Sequence, residues 1–169
     1  MVSQDEGVSR NGAAIIALGV VAAAALIGRH ASPTPDHPKT RRWYRDLEKP
    51  GFTPPAPAYG IAWTGIQAAL AYGGYRLLRR PSSPERTVAL SMWGLNQAAI
   101  AGWSEIFFGL RAPGAGTIAA GAMVGTAAGY VAAAAREDEQ AAAAGVPLVL
   151  WVSFATLLAE EIWRRNDQG

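Results

Sequence analysis

Trp43-Tyr44-Arg45-Asp46-Leu47-Glu48-Lys49-Pro50-Gly51-Phe52-Thr53-Pro54-Pro55 lies between two hydrophobic stretches. Two aromatics head the segment, a charged turn occupies its middle and prolines close it. Proline locks φ and removes a backbone donor, so Pro50, Pro54 and Pro55 make a rigid connector of it. Trp and Tyr beside an apolar span favour the level where hydrocarbon meets water.

Outward from this loop, the placement of charge is the informative quantity. Residues 11–28, 50–75, 87–104, 112–135 and 140–159 contain no Asp, Glu, Lys or Arg. A soluble amphipathic helix of that length carries a polar face, whereas a transmembrane helix needs about 20 mostly apolar residues. The five windows fit the second description and argue against a soluble Ala-rich bundle. They are built from Ala and Gly, small residues that let helices approach closely within lipid. The chain has 169 residues, enough for one domain, with a formal charge of +2 and no cysteine. Those facts exclude a disulfide framework and thiolate chemistry, and they offer no basic stripe for nucleic acid.

The expected fold is all-α: an integral membrane bundle of five transmembrane helices spanning residues 12–166, with a first loop over 29–57. Short tails are expected at 1–11 and 167–169. Residues 1–10 lack the cationic start of a signal peptide, and Gly12–Gly28 reads as a retained first helix. The run 32–38, rich in proline, reads as non-helical, and Trp43–Lys49 as a short helix stopped by Pro50. The second helix is expected over about 58–78. Ser83 and Pro84 open the third, which runs to about Phe108. The fourth ends near Ala135, and the fifth begins near Gly145-Val146-Pro147. The loop side collects Arg29, Lys39, Arg41, Arg42, Arg45, Lys49, Arg111, Arg164 and Arg165. The other side has fewer basic residues, so the first loop and C-terminus are expected in the cytoplasm, and the Ala/Gly/Arg-rich composition is that expected of a bacterial inner membrane.

The loop resembles the first loop of the TspO/MBR family, the translocator or tryptophan-rich sensory proteins, whose pattern is WYxxLxKPxWTPP. Only the second Trp departs, being Phe52 here. Trp63-Thr64 resembles the family's W-T/A-x-L-Y, with Ile66-Gln67 in place of Leu-Tyr. Trp103 followed by Phe107-Phe108-Gly109, with Asn96 seven residues before that Trp, is similar to the family's third helix. Pro147, Trp151, Phe154-Ala155 and Leu158 match PYxxWxxFAxxLN, and Trp163 and Asn166 match its closing W…N. Two family amides are missing, replaced by Ile100 and Ala159.

The resemblance implies a cavity for a tetrapyrrole such as protoporphyrin IX or haem, held without a covalent bond. Its expected lining is Tyr44, Phe52, Pro55, Trp63, Asn96, Trp103, Glu105, Phe107, Trp151 and Phe154, with the loop 43–55 as a lid. Flat aromatic walls suit a flat apolar ligand. Glu105 is singled out as an ionisable group in a span, facing either the cavity or else the interface or the next helix. Glu160 and Glu161 read as surface partners of Arg164 and Arg165. Trp43, Trp93 and Trp163 read as interface anchors. His30 and His37 are the available imidazoles for haem iron; no metal-ligand motif is visible. The resemblance also implies a homodimer, with Gly94, Ala98, Ala101 and Gly102 as its close-packing face. It leaves open a binding or sensing role, transport, or light-dependent porphyrin breakdown in which Trp63 and Trp151 take part.

Overall fold

The computed structural model describes residues 6–167; the outermost parts of both expected tails, 1–5 and 168–169, lie outside the described residues. The described residues are all-helical and contain no strand. They form α1 (Arg10–Ala31), α2 (Pro38–Asp46), α3 (Ala56–Arg79), α4 (Pro84–Ser104), α5 (Pro113–Ala135) and α6 (Glu139–Asn166). A π-helical turn, Glu105–Gly109, continues α4.

Capping side chains account for the helix starts. Ser9, Ser83 and Asp138 accept from the backbone N–H of Gly12, Arg86 and Ala141. Each satisfies an orphan donor of the first turn. Two boundaries differ from the sequence expectation. The proline-rich stretch ends in Pro38, which opens α2 at a position where a missing N–H costs nothing. The last helix begins at Glu139, not near Gly145, because Asp138 caps a helix-prone alanine run. Pro147 is then internal, at the loss of one intrahelical hydrogen bond.

The five long helices close into a ring in the order α1, α4, α5, α6, α3, with α3 also touching α4. Small residues set its spacing. The buried face of α1 is Ala13, Ala17, Val21, Ala24, Gly28 and Ala31, a helical stripe of minimal bulk. Large side chains enter where glycine makes room. The Trp93 ring lies over Gly74, and its indole N–H donates to the Leu70 carbonyl at 2.8 Å. Tyr130, fully buried, lies against Gly73 and Gly145 and donates its hydroxyl to the Ala141 carbonyl at 2.9 Å. Trp93 is therefore an interior knob tying α4 to α3, not an interface anchor.

The outer surface is apolar: Ile15, Leu18, Ile61, Ile118 and Leu150 are each at least 61% exposed. Three helices, α1, α5 and α6, are long and apolar enough to cross a membrane. The chain is a membrane protein. At 24 and 21 residues α3 and α4 are long enough, but Tyr, Trp, Gln, Asn and Gly dilute their apolar character.

At the end away from the first loop, polar side chains tie the α3–α4 and α5–α6 connections together. Arg76 donates to Asp138 Oδ2 at 2.8 Å, Arg80 pairs with Glu137, and Ser83 donates to Glu137 at 3.0 Å. Burial raises the Asp138 carboxyl, but Arg76, the Ala141 N–H and Arg80 outweigh it and hold the group below its ordinary range. Its folded pKa is depressed, so its contribution to stability is complete above about pH 4 and is lost as pH falls through the folded value. Asp138→Asn keeps a capping oxygen and removes the charge. Thermal unfolding should show it less stable than wild type at pH 7 by about 1–3 kcal/mol, a range below that of a fully buried pair because Arg76 is partly exposed. The gap should narrow steadily below pH 4, and a gap independent of pH would show that the cap, not the charge, carries the effect.

Candidate functional site

The first loop packs on one end of the bundle. Trp43, Tyr44 and Leu47 occupy the inward side of α2 and join the apolar cluster of Phe107, Leu158, Ala159 and Ile162. Lys49 folds back so that its ammonium donates to the carbonyls of Tyr44, Arg45 and Leu47 at 2.7, 3.0 and 2.7 Å. It thus satisfies carbonyls that the end of α2 leaves free, and a cation there also suits the helix dipole. Burial pulls its own pKa down, against Asp46, which raises it. Asn166 clasps the loop from α6: Glu48 N–H donates to its Oδ1 at 3.0 Å, and its Nδ2 donates to the Glu48 carbonyl at 2.9 Å. The Thr53 hydroxyl donates to the Pro50 carbonyl at 2.7 Å, and Pro55 caps α3.

Beneath the loop the aromatics fall into two groups. In the first, Trp103 stacks on Phe107 with centroids 4.9 Å apart, and Tyr44 meets Phe108 edge-on at 5.3 Å. The π-helical turn widens the backbone by one residue and lets Phe107 and Phe108 both reach the loop. The second group joins α3 to α6. Trp151 meets Tyr59 at 5.8 Å, Trp63 at 6.3 Å and Phe154 at 5.7 Å. Phe52 of the loop extends this series, its ring 6.3 Å from that of Phe154.

Tyr59, which no sequence motif singled out, links the two groups. Its phenol approaches that of Tyr44, yet its hydroxyl is buried without a hydrogen bond of good geometry. On the outer side, an open groove of about 520 Å³ between α3 and α6 is lined by Ile61, Ala62, Gly65, Ile66, Pro147, Leu150 and Trp151. Trp151 thus belongs both to the groove and to the aromatic series.

The structure brings Tyr44, Phe52, Trp63, Trp103, Phe107, Trp151 and Phe154 into these two groups, with Pro55 exposed at the start of α3. Two expected lining residues lie elsewhere. Asn96 is fully buried between α4 and α5, where Nδ2 donates to the Met92 and Thr126 carbonyls and Oδ1 accepts from the Thr126 hydroxyl. Its hydrogen-bonding groups are occupied within the protein. Glu105 is exposed, and its carboxylate folds over Gly109. It stands two residues after Trp103, about 200° round the helix, so the face that turns Trp103 inward turns Glu105 outward. Ile100 and Ala159 are buried. Glu161 pairs with Arg164 and Arg165, whereas Glu160 is exposed. His30 is exposed at the end of α1, and His37 Nδ1 lies 3.0 Å from the Thr34 hydroxyl. Among the described residues no group of three or more His, Cys, Asp or Glu is placed to hold a metal ion.

The TspO/MBR family profile matches residues 15–164. The chain is 30% identical to the translocator protein of Homo sapiens over 132 residues, 77% of this chain and 78% of that one. It is 27% identical to the tryptophan-rich sensory protein of Cereibacter sphaeroides over 128 residues, 76% and 79% of the two chains. Protein CrtK of Rhodobacter capsulatus is 26% identical over 125 residues, 73% and 78% of the two. The chain belongs to the TspO/MBR family of membrane proteins.

Because the Asn96 amide is spent on α4 and α5, its loss should be felt in stability. Asn96→Leu removes the donor to the Met92 and Thr126 carbonyls and leaves the Thr126 hydroxyl only its bond to the Met123 carbonyl, at about 1–3 kcal/mol. Thermal unfolding of Asn96→Leu, Thr126→Val and the double variant should show strong non-additivity. Additive effects would show that the two side chains act separately.

Proposed function

We propose that the protein is a five-span membrane receptor that binds a tetrapyrrole, such as protoporphyrin IX or haem, and serves as a sensor in tetrapyrrole metabolism or stress responses. The observation that carries this reading is the aromatic series Phe52, Phe154, Trp151, Tyr59 and Trp63, which runs from the loop down between α3 and α6. Planar side chains offer large apolar contact area, and the Tyr59 hydroxyl, near that of Tyr44, supplies a polar contact among them. The charge-free stretches of α3 and α4 support their crossing the membrane beside α1, α5 and α6. The basic excess at the loop end supports a cytoplasmic first loop and C-terminus, in a bacterial inner membrane.

A homodimer through the outer face of α4 is part of this reading. Gly94 and Gly102 have open space beside them and Ala98 is exposed, a small-residue spacing suited to close helix approach. Ala101 leaves that face, being buried near Gly28. Light-dependent porphyrin breakdown has one observation in its favour, the 6.3 Å approach of Trp63 and Trp151, which sets two oxidisable indoles side by side.

Intrinsic fluorescence tests the binding reading. Protoporphyrin IX should quench it saturably at micromolar concentration, and Trp151→Phe should weaken the apparent affinity several-fold without loss of helical circular dichroism. Equal quenching by unrelated hydrophobic dyes, unchanged in Trp63→Phe and Trp151→Phe, would mean partitioning into the micelle. A new absorbing species formed in light but not in darkness, and lost in Trp151→Phe, would move the reading to an enzyme.

The loop acts as a lid in this reading, with its prolines limiting the freedom that closure must remove. Pro54→Gly/Pro55→Gly should raise the porphyrin dissociation rate about three- to tenfold, an effect of order 1 kcal/mol. Stopped-flow dissociation at the wild-type rate would leave these prolines as connectors only.

A further inference from the structure

Gln97 on α4 is 2% exposed, and neither its Oε1 nor its Nε2 meets a hydrogen-bond partner. On α3 the Gln67 Oε1 is likewise buried without a partner. The register of the two helices brings these amides to one level. Trp93 Nε1 donates to the Leu70 carbonyl at 2.8 Å, and α3 and α4 run antiparallel through a short connection. One turn from that bond toward the first loop, about 4.5 Å along α3 and about 6 Å along α4, lie Gln67 and Gln97. Trp63 follows one turn further along the same stripe of α3, so Gln67 lies one turn from the Trp63 position.

A buried amide without a partner is unfavourable anywhere and more so in a bilayer, where no bulk water reaches it. Such a group calls for a partner, and a group supplied from outside the chain is one that can complete it. The chemistry of that partner is restricted. Residues 11–28, 50–75, 87–104 and 140–159 carry no charge, so nothing at this level of the bundle offsets a carboxylate or an ammonium group. The neighbouring face of α1 offers only small apolar residues such as Val21 and Ala24.

We infer that Gln67 and Gln97 form a polar recognition point between α3 and α4, receiving a neutral hydrogen-bonding group such as a ketone or hydroxyl on the edge of a flat apolar ligand. The inference rests on the tetrapyrrole reading and adds the selectivity of that site. A ketone oxygen accepts from Gln97 Nε2, and a hydroxyl donates to Gln67 or Gln97 Oε1. A porphyrin carboxylate has no cation here and is directed to the basic loop end, leaving the opposite edge of the macrocycle to face the amides.

Two porphyrins of nearly equal shape test this on the purified full chain: mesoporphyrin IX, with ethyl groups on the edge opposite the propionates, and diacetyldeuteroporphyrin IX, with acetyl groups there. Wild type should bind the diacetyl compound about three- to tenfold more tightly, the range of one net hydrogen bond. Gln97→Leu should abolish the preference, and Gln67→Leu should leave it intact. Equal affinities in wild type, or a ketone preference that survives Gln97→Leu, overturn the inference alone. Failure of both porphyrins to saturate the wild type removes the tetrapyrrole reading and this inference with it. The ligand-free protein gives a separate reading: relieved of an orphaned amide, Gln97→Leu should melt about 2–4 °C higher. A lower melting temperature would show the amide already partnered within the chain and would overturn the inference.

Discussion

The seating of large aromatic side chains against glycine is the contact on which the rest of the bundle depends. Trp93 over Gly74 and Tyr130 between Gly73 and Gly145 join α3 to α4 and α5 to α6. A side chain at any of these glycines would collide with a ring. Each ring also donates a hydrogen bond to a backbone carbonyl, so that its polar atom is satisfied where water is absent. In a membrane, helices gain little from hiding apolar surface from lipid. Close fit and interhelical hydrogen bonds are the available forces, and these contacts supply both.

Rings seated on glycine recur near the first loop, where Phe107 lies over Gly116 and the Trp103 indole N–H donates to the Gly116 carbonyl at 2.8 Å. Toward the loop the character changes from small residues to large aromatics, and unpartnered polar atoms appear at Tyr59, Gln67 and Gln97. The end away from the loop adds the Arg76–Asp138 pair, whereas at the loop end the rings of α3 and α6 meet mostly at their edges beside an open groove.

The loop owes its shape to side chains that act on backbone. Lys49 gathers three carbonyls at the end of α2, and Asn166 forms a two-way clasp with Glu48 across the width of the chain's sequence. Trp43, Tyr44 and Leu47 then supply the apolar contact that keeps the loop on the bundle. The spelling of the loop is thereby accounted for residue by residue: rings and Leu for contact, Lys for capping, prolines for stiffness.

Helical class, membrane character, the loop's rigidity and the family were legible in the sequence, because each follows from local composition or from an ordered motif. Charge-free windows and proline positions act on the chain where they stand. Glu105 could also have been placed from sequence, since helical phase alone sets it opposite Trp103. The start of α6 was misread because Pro147 is a strong local signal, while Asp138 acts through a cap completed by Arg76 on another helix. Side-chain partners belong to the tertiary structure alone. Whether Asn96 faced a ligand or Thr126, and whether Trp93 anchored an interface or filled a glycine hollow, depended on which helices became neighbours. The orphaned amides of Gln67 and Gln97 emerged for the same reason: a missing partner is a property of the packed bundle, visible only once every neighbour is in place.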